Sequence, residues 1–207
     1  MDEASLKVSY TRRYRDILVP LATSLESYLR GVVTDIPRID LIKARAKRPE
    51  SFMEKAFRFS EESAKYSSPL DEIQDQIGVR MVVFYRNDVS IMEDLINKFF
   101  RVYKTEFKSP ECSSEFDYEA LHKLLLLPSD ILEPTWKKGD YPIFFELQIA
   151  TLFQHAWAEA NHDLAYKPKT DMTHDQKRLI AYTNALAWGA DVTFETLTNQ
   201  LMLEDIK

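Results

Sequence analysis

Glu146 and Gln148 stand two apart in the run Ile143-Phe144-Phe145-Glu146-Leu147-Gln148-Ile149. At a period of two, Ile143, Phe145, Leu147 and Ile149 share an apolar face, while the carboxylate and the amide project together from the other. From Thr151 the pattern turns helical through Trp157 and His162 toward Lys167, so this strand feeds directly into a helix. An acid and an amide side by side on a strand form a platform for chemistry. Alternation alone favours the plainer account, the solvated face of a half-buried strand.

A second constellation is basic. Lys43, Arg45, Lys47, Arg48, Lys55 and Arg58 occupy a short span whose acids are Glu50 and Glu54. On an extended segment Arg45 and Lys47 point to one side, and Ser51 and Lys55, four apart, share a face of the helix that follows. Arg45, Lys47 and Lys55 can then converge on a triphosphate from two elements. A charge run by itself is more often a solvated surface whose ion pairs contribute little. Asp75 precedes a strand carrying Arg80, where a carboxylate can hold magnesium or simply cap a turn. Tyr118 and His122 fall four apart on a segment entering another strand. The tyrosine can stack on a base, although a partly buried structural tyrosine is the commoner outcome.

The elements that must position these residues belong to a chain of 207 residues, 45% hydrophobic and 29% charged, with 12 Phe, 10 Tyr and 3 Trp. That is enough to build one soluble domain with a substantial core, without metals or disulfides. Cys112 is the single cysteine. No apolar run is long enough to cross a bilayer, and Met1-Asp2-Glu3 is unlike a signal peptide, so the expectation is a cytoplasmic protein with no membrane partner. A net charge of -6 gives no global attraction to polyanions, so any such site must be a local basic patch. The four glycines, Gly31, Gly78, Gly139 and Gly189, are scattered. Glycine-rich phosphate loops are thereby excluded, and side chains must do the work of binding phosphate.

Apolar positions at helical spacing predict a helix over 10–33 that ends before Pro37. Residues 38–47 read as extended, and Pro49 suits the first turn of a helix running to Ser60. A strand follows from Ile77 to Tyr85, and Asn87 and Asp88 are cap candidates for a helix to Phe100. Strands are expected near 102–107, 121–127 and 141–149, with a mobile loop over 109–116. Helices occupy 172–204, where Leu179, Tyr182, Leu186, Trp188, Phe194, Leu197 and Leu201 either pack under the sheet or form a self-association face.

Taken in order, Arg45-Ala46-Lys47 with Ser51 and Lys55, then Asp75-Gln76-Ile77-Gly78-Val79-Arg80, then Tyr118 with His122, then Glu146-Leu147-Gln148-Ile149, then Trp157 and His162 to Lys167, the chain resembles the RelA/SpoT synthetase domain. The resemblance runs from about Pro37 to Lys167. It implies a single domain over 1–207 with its catalytic core at 37–167. The implied fold is α+β and nucleotidyltransferase-like, of the DNA polymerase beta type: a mixed, mostly antiparallel sheet with flanking helices. It further implies transfer of the beta-gamma pyrophosphate of ATP to the 3′-hydroxyl of GDP or GTP, giving a (p)ppGpp-type alarmone and AMP. On that basis Arg45, Lys47 and Lys55 grip ATP phosphates and Ser51 braces them. Asp75 and Glu146 are the catalytic pair that holds Mg2+, with Glu146 also activating the attacking hydroxyl. Tyr118, His122 and Gln148 bind the acceptor.

Two positions depart from the family pattern. Asp117 replaces the glycine usual before the stacking tyrosine, and Ala150 replaces an arginine usual after the Glu-x-Gln-x strand, which removes a phosphate contact. They leave the acceptor open between a guanosine nucleotide and, as in toxin-type relatives, the 3′ end of tRNA or an adenine nucleotide. A nucleotide-binding module without turnover is a further alternative. Homo-oligomer formation is open as well. Zinc catalysis is disfavoured, because His155 and His162 lie about 10.5 Å apart along a helix.

Overall fold

The computed structural model describes residues 2–60, 63–64, 66–110, 116, 119–166 and 172–204. Helix α1 (Glu3–Arg13) begins well ahead of the expected start at residue 10, because Asp2 caps it and accepts the Ser5 N–H at 2.9 Å. The apolar pattern misses this first stretch, in which only Leu6 and Tyr10 are buried. A π-turn at Tyr14–Leu18, in which the Val19 N–H reaches the Tyr14 carbonyl, joins α1 to α2 (Val19–Val32). It falls immediately before Pro20, whose missing N–H and bulky ring disturb the regular ladder.

Strand β1 (Ile39–Ala46) leads to α3 (Pro49–Ala56), which stops short of the expected Ser60. Beyond it the chain enters the small hairpin of β2 (Phe59–Ser60) and β3 (Ser63–Ala64), then a single helical turn α4 (Pro69–Glu72) and β4 (Ile77–Val83). Helix α5 (Arg86–Phe99) is capped by Tyr85 rather than by Asn87 or Asp88. Asp88 acts from the third helical position, accepting the Tyr85 N–H at 3.1 Å and pairing with Arg38 at 2.6 Å. Then come β5 (Val102–Lys108), β6 (Ala120–Leu126), a 3-10 turn at Ser129–Ile131, β7 (Phe144–Thr151), α6 (Leu152–Tyr166) and the long α7 (His174–Glu204). Most of the expected 109–116 loop lies outside the described residues.

The main sheet has the order β1-β4-β7-β6-β5, with β4 and β7 parallel and the other neighbours antiparallel. This is the mixed, mostly antiparallel α+β arrangement expected. Its back face buries Ile77, Val79, Met81, Leu121, Phe145, Leu147 and Ile149 together with Leu21, Leu25 and Leu29 of α2 and Met92 and Ile96 of α5. Ile143 does not join them. It precedes β7, is 58% exposed and contributes only its carbonyl, which accepts the Leu127 N–H at 2.9 Å.

Lys123 identifies what covers this face. Out of phase with His122, its side chain is almost fully buried, and its Nζ meets Glu93 at 2.8 Å, Asn97 at 3.0 Å and Thr105 at 2.9 Å. Glu93 and Asn97 belong to α5, so α5 lies on the back. A buried ammonium persists here because each of its three donors has an acceptor. The apolar residues of α7 do not pack under the sheet: Leu179, Tyr182, Leu186 and Leu201 are exposed, whereas Phe194 stacks on Tyr85 and Phe153. Among the described residues no helix is long and apolar enough to cross a membrane.

Candidate active site

Strand register aligns the polar residues in rows across the front face. One row reads Lys43, Arg80, Gln148, His122, Glu106, and the next reads Arg45, Gly78, Glu146, Leu124, Lys104. Residues opposite one another on paired strands project from the same side. Gly78 lies between Arg45 and Glu146, and a Cβ built there would meet nothing within 4 Å. The floor beside the Glu146 carboxylate is therefore open.

Glu146 is held from two sides. Gln148 Nε2 donates to Oε2 at 2.8 Å, and His122 Nδ1 lies 3.2 Å from Oε1. An ionised carboxylate can only accept, so the proton of this contact is on Nδ1. Burial pushes the Glu146 carboxyl up, but the hydrogen bond and charge of His122, with the Gln148 amide, outweigh it and hold the group below the ordinary glutamate range. Gln148 is in turn fixed by Arg80, whose Nη2 is 3.5 Å from Oε1. The Arg80 guanidinium also pairs with Glu159 and lies 3.4 Å from His155 Nδ1, so α6 closes the front face at this end. Burial and the neighbouring Arg80 charge push the His155 imidazole down, which keeps it neutral.

Asp75 faces this group across the cavity. Its Oδ2 receives Lys55 Nζ at 2.8 Å and Lys47 Nζ at 3.1 Å. Burial raises the Asp75 carboxyl, and the two lysines together reverse that and hold it below the usual aspartate range. The position of Lys47 follows from its backbone: its N–H donates to the Gln76 carbonyl at 2.8 Å, and its carbonyl accepts the Tyr10 hydroxyl at 2.8 Å. Tyr10 is fully buried and stacks on Phe52 of α3, so α1 and α3 jointly fix the stretch between β1 and α3.

Lys55, Asp75, His122 and Glu146 line one cavity of about 440 Å³, together with Lys104 and Glu106 of β5. Of the residues expected from sequence, Lys47 and Gln148 reach it through Asp75 and Glu146. Arg45 and Ser51 are exposed and stand outside its wall. Tyr118 and Asp117 lie outside the described residues. Ala150 is buried opposite Val82, in phase with Glu146 and Gln148 and nearer the end of β7. Sequence reasoning missed Lys104, Glu106 and the Arg80–Glu159 pair. The alternation of β5 could have pointed to the first two.

The carboxylates suit magnesium. Both are oxygen donors held ionised in one cavity, the charge of Asp75 reaches Glu146, and Asp75 Oδ1 is buried without a hydrogen-bond partner among the described residues. Among those residues no cluster of three or more His, Cys, Asp or Glu gathers to hold a metal. Magnesium requires none, since it is commonly held by one or two carboxylates with water and substrate phosphates.

The sheet order is that of a nucleotidyltransferase-like fold. Residues 44–171 match the region found in RelA / SpoT proteins, and the chain belongs to that family. It is 28% identical over 170 residues to the GTP pyrophosphokinase YjbM of Bacillus subtilis (strain 168), covering 75% of this chain and 74% of that protein. It superposes on the crystal structure of small alarmone synthetase 1 from Bacillus subtilis with a TM-score of 0.74 at 23% identity, over 93% of this chain and 96% of that one. The same synthetase bound to its product pppGpp gives a TM-score of 0.73 at 23% identity, again over 93% and 96%.

Proposed function

We propose that this chain is a magnesium-dependent pyrophosphokinase that moves the beta-gamma pyrophosphate of ATP to the 3′-hydroxyl of GDP or GTP. The observation that carries the reading is the opposition, across one cavity, of Glu146 with His122 and Asp75 with Lys55. The pyrophosphokinase relative and the product-bound synthetase structure support it.

In this reading Lys47 and Lys55 exchange Asp75 for the phosphates of ATP, exposed Arg45 on the adjoining row joins them, and Ser51 braces that site. Asp75 and Glu146 hold the magnesium ion, which neutralises phosphate charge when bound. His122 and Gln148 keep the Glu146 carboxylate oriented and ionised, and with Tyr118 they position the acceptor. The acceptor 3′-oxygen bonds to the beta phosphorus, the bond from that phosphorus to the alpha-beta bridging oxygen breaks, and AMP leaves with the bridging oxygen. The hydroxyl proton passes to Glu146. Lys104 and Glu106 border the acceptor side. The chain's contribution is alignment and charge complementarity, which is what this class of transfer demands.

The test is to supply gamma-labelled ATP and magnesium with GDP, GTP, ADP, ATP or deacylated tRNA in turn. Label on GDP or GTP is expected, and Glu146→Gln should lower that transfer by about 10³-fold while ATP still binds. Protein that binds ATP yet labels no guanosine nucleotide overturns the proposal, as does full activity in the Glu146→Gln variant.

A further inference from the structure

A second cavity of about 250 Å³ lies at the far end of the sheet. Phe107, Leu121, Ile149 and Thr151 on its wall alternate out of phase with Glu146, Gln148 and His122, and Val89 and Ser90 contribute from α5, the helix of the back face. The proposed reaction uses none of these residues.

Its inner end is polar and incompletely satisfied. Thr151 Oγ1 donates to Asp191 Oδ2 at 2.7 Å and accepts the Gln154 N–H at 3.2 Å. Gln154 Oε1 accepts the Glu119 N–H at 3.3 Å. That leaves Gln154 Nε2 and Asp191 Oδ1, one on each side of Thr151, both buried and without a partner among the described residues. The two residues are 2% and 3% exposed, and both line the cavity. Buried polar atoms of native proteins are almost always paired, so an unpaired donor and an unpaired acceptor on two residues of one cavity wall point to a guest that supplies both partners once the side chains turn toward it.

The remaining wall narrows the choice. Among the described residues Arg86 is its one cation against Glu119, Asp191 and Glu195, and Arg86 is already engaged by Glu195 at 3.7 Å. This surplus of acids repels phosphate and other anions. An ammonium would satisfy Asp191 but would leave the Gln154 amide facing another donor. Apolar surfaces from Ala120, Leu121, Ile149, Val89 and Phe107 favour a flat hydrophobic body.

We propose that this back cavity binds an uncharged nucleobase, as the free base or nucleoside, whose ring acceptor takes the Gln154 Nε2–H and whose N–H donates to Asp191 Oδ1. The Gln154–Glu119 bond ties the cavity to the start of β6, the strand that carries His122, so its occupant touches the same segment as the front site from behind. The site stands independently of the pyrophosphokinase reading.

The test uses adenosine, guanosine, cytidine and uridine, which lack the phosphates the front cavity is built to grip. Binding to the whole chain is followed by ligand-observed NMR and located by crystal soaking. At least one nucleoside is expected to bind with its base between Gln154 and Asp191. Gln154→Glu keeps the acceptor for Glu119 and removes the amide donor, and it should weaken that binding about tenfold. Ser90→Trp fills the cavity from an exposed helix position and should weaken it by at least as much. Lys55→Ala in the front cavity should leave it within about twofold. No binding of any nucleoside, ordered waters alone between Gln154 and Asp191, or binding that Lys55→Ala abolishes and Ser90→Trp spares would each overturn the proposal.

Discussion

Asp75 in front of the sheet and Asp191 behind it begin from the same penalty and end in opposite states. Burial is the largest influence on both, and in both it opposes the charged form. Asp75 has Lys55 and Lys47 on one of its oxygens and is held below the ordinary aspartate range. Among the described residues Asp191 has only the Thr151 hydroxyl as a direct partner, with Arg86 offset by Glu119 and Glu195, and burial pushes it up to about 6. Depth alone therefore does not decide what a carboxylate can do. Two ammonium groups favour the anionic form of Asp75, and a single hydroxyl leaves Asp191 drawn to protons and N–H donors.

The largest effect that would break this contrast is in front. Asp75→Asn removes the anion while leaving both lysines, and turnover of labelled ATP to a guanosine nucleotide should fall on the order of 10³-fold. Near wild-type turnover in that variant would show that the paired lysines, and not the carboxylate, are what the front site needs.

Behind the sheet the expectation concerns pH. The folded-state pKa of Asp191 is raised from 3.8 to about 6, so the native state holds this proton more tightly than the unfolded chain does. Its stabilising contribution is then complete below 3.8 and is lost as pH rises through about 6. Between pH 4 and pH 7.5 the wild type should lose on the order of 2 kcal/mol relative to Asp191→Asn. Denaturant unfolding of both proteins at the two pH values measures it, and parallel stabilities would remove Asp191 from the contrast. The smallest expected effect sharpens the same point. Thr151→Val deletes the hydroxyl donor to Asp191 and should cost about 1 kcal/mol at pH 7.5. The cost should shrink toward pH 4, where the acid is protonated.

Much of the front site was legible because strand period two is a strict geometric rule. Glu146 and Gln148 share a face whatever surrounds them, and the motifs around them fall within the span that matches the family region. Which partners those side chains choose was not legible. Lys47 and Lys55 read as phosphate ligands in sequence, and in the fold they close on Asp75, because a turn at Gln76 brings three separate segments together. The start of α1 was missed for want of apolar residues before Tyr10, and the end of α3 was overrun because Phe57 and Phe59 prolong its apolar pattern into a hairpin. Nothing in the pattern of α7 singled out Asp191. It reads as one polar residue in a helix whose large apolar side chains largely face outward, and only the packing of α7 against α6 and α5, with the Thr151 hydroxyl on its carboxylate, reveals that it is buried.

The Tyr10 hydroxyl on the Lys47 carbonyl separates two definitions of this protein's functional unit. The span shared with the family begins at residue 44, inside β1, whereas the residue that tethers the Lys47 backbone is on the first helix, beyond that boundary. A fragment trimmed to the shared span would retain all of the charged side chains discussed for the front cavity. It would also lose more than half of an edge strand, the Tyr10–Phe52 stack and the Lys47 anchor at one cut. The inherited signature and the smallest piece able to hold it in shape are thus different lengths of chain, and dissection of this molecule should start from the anchor.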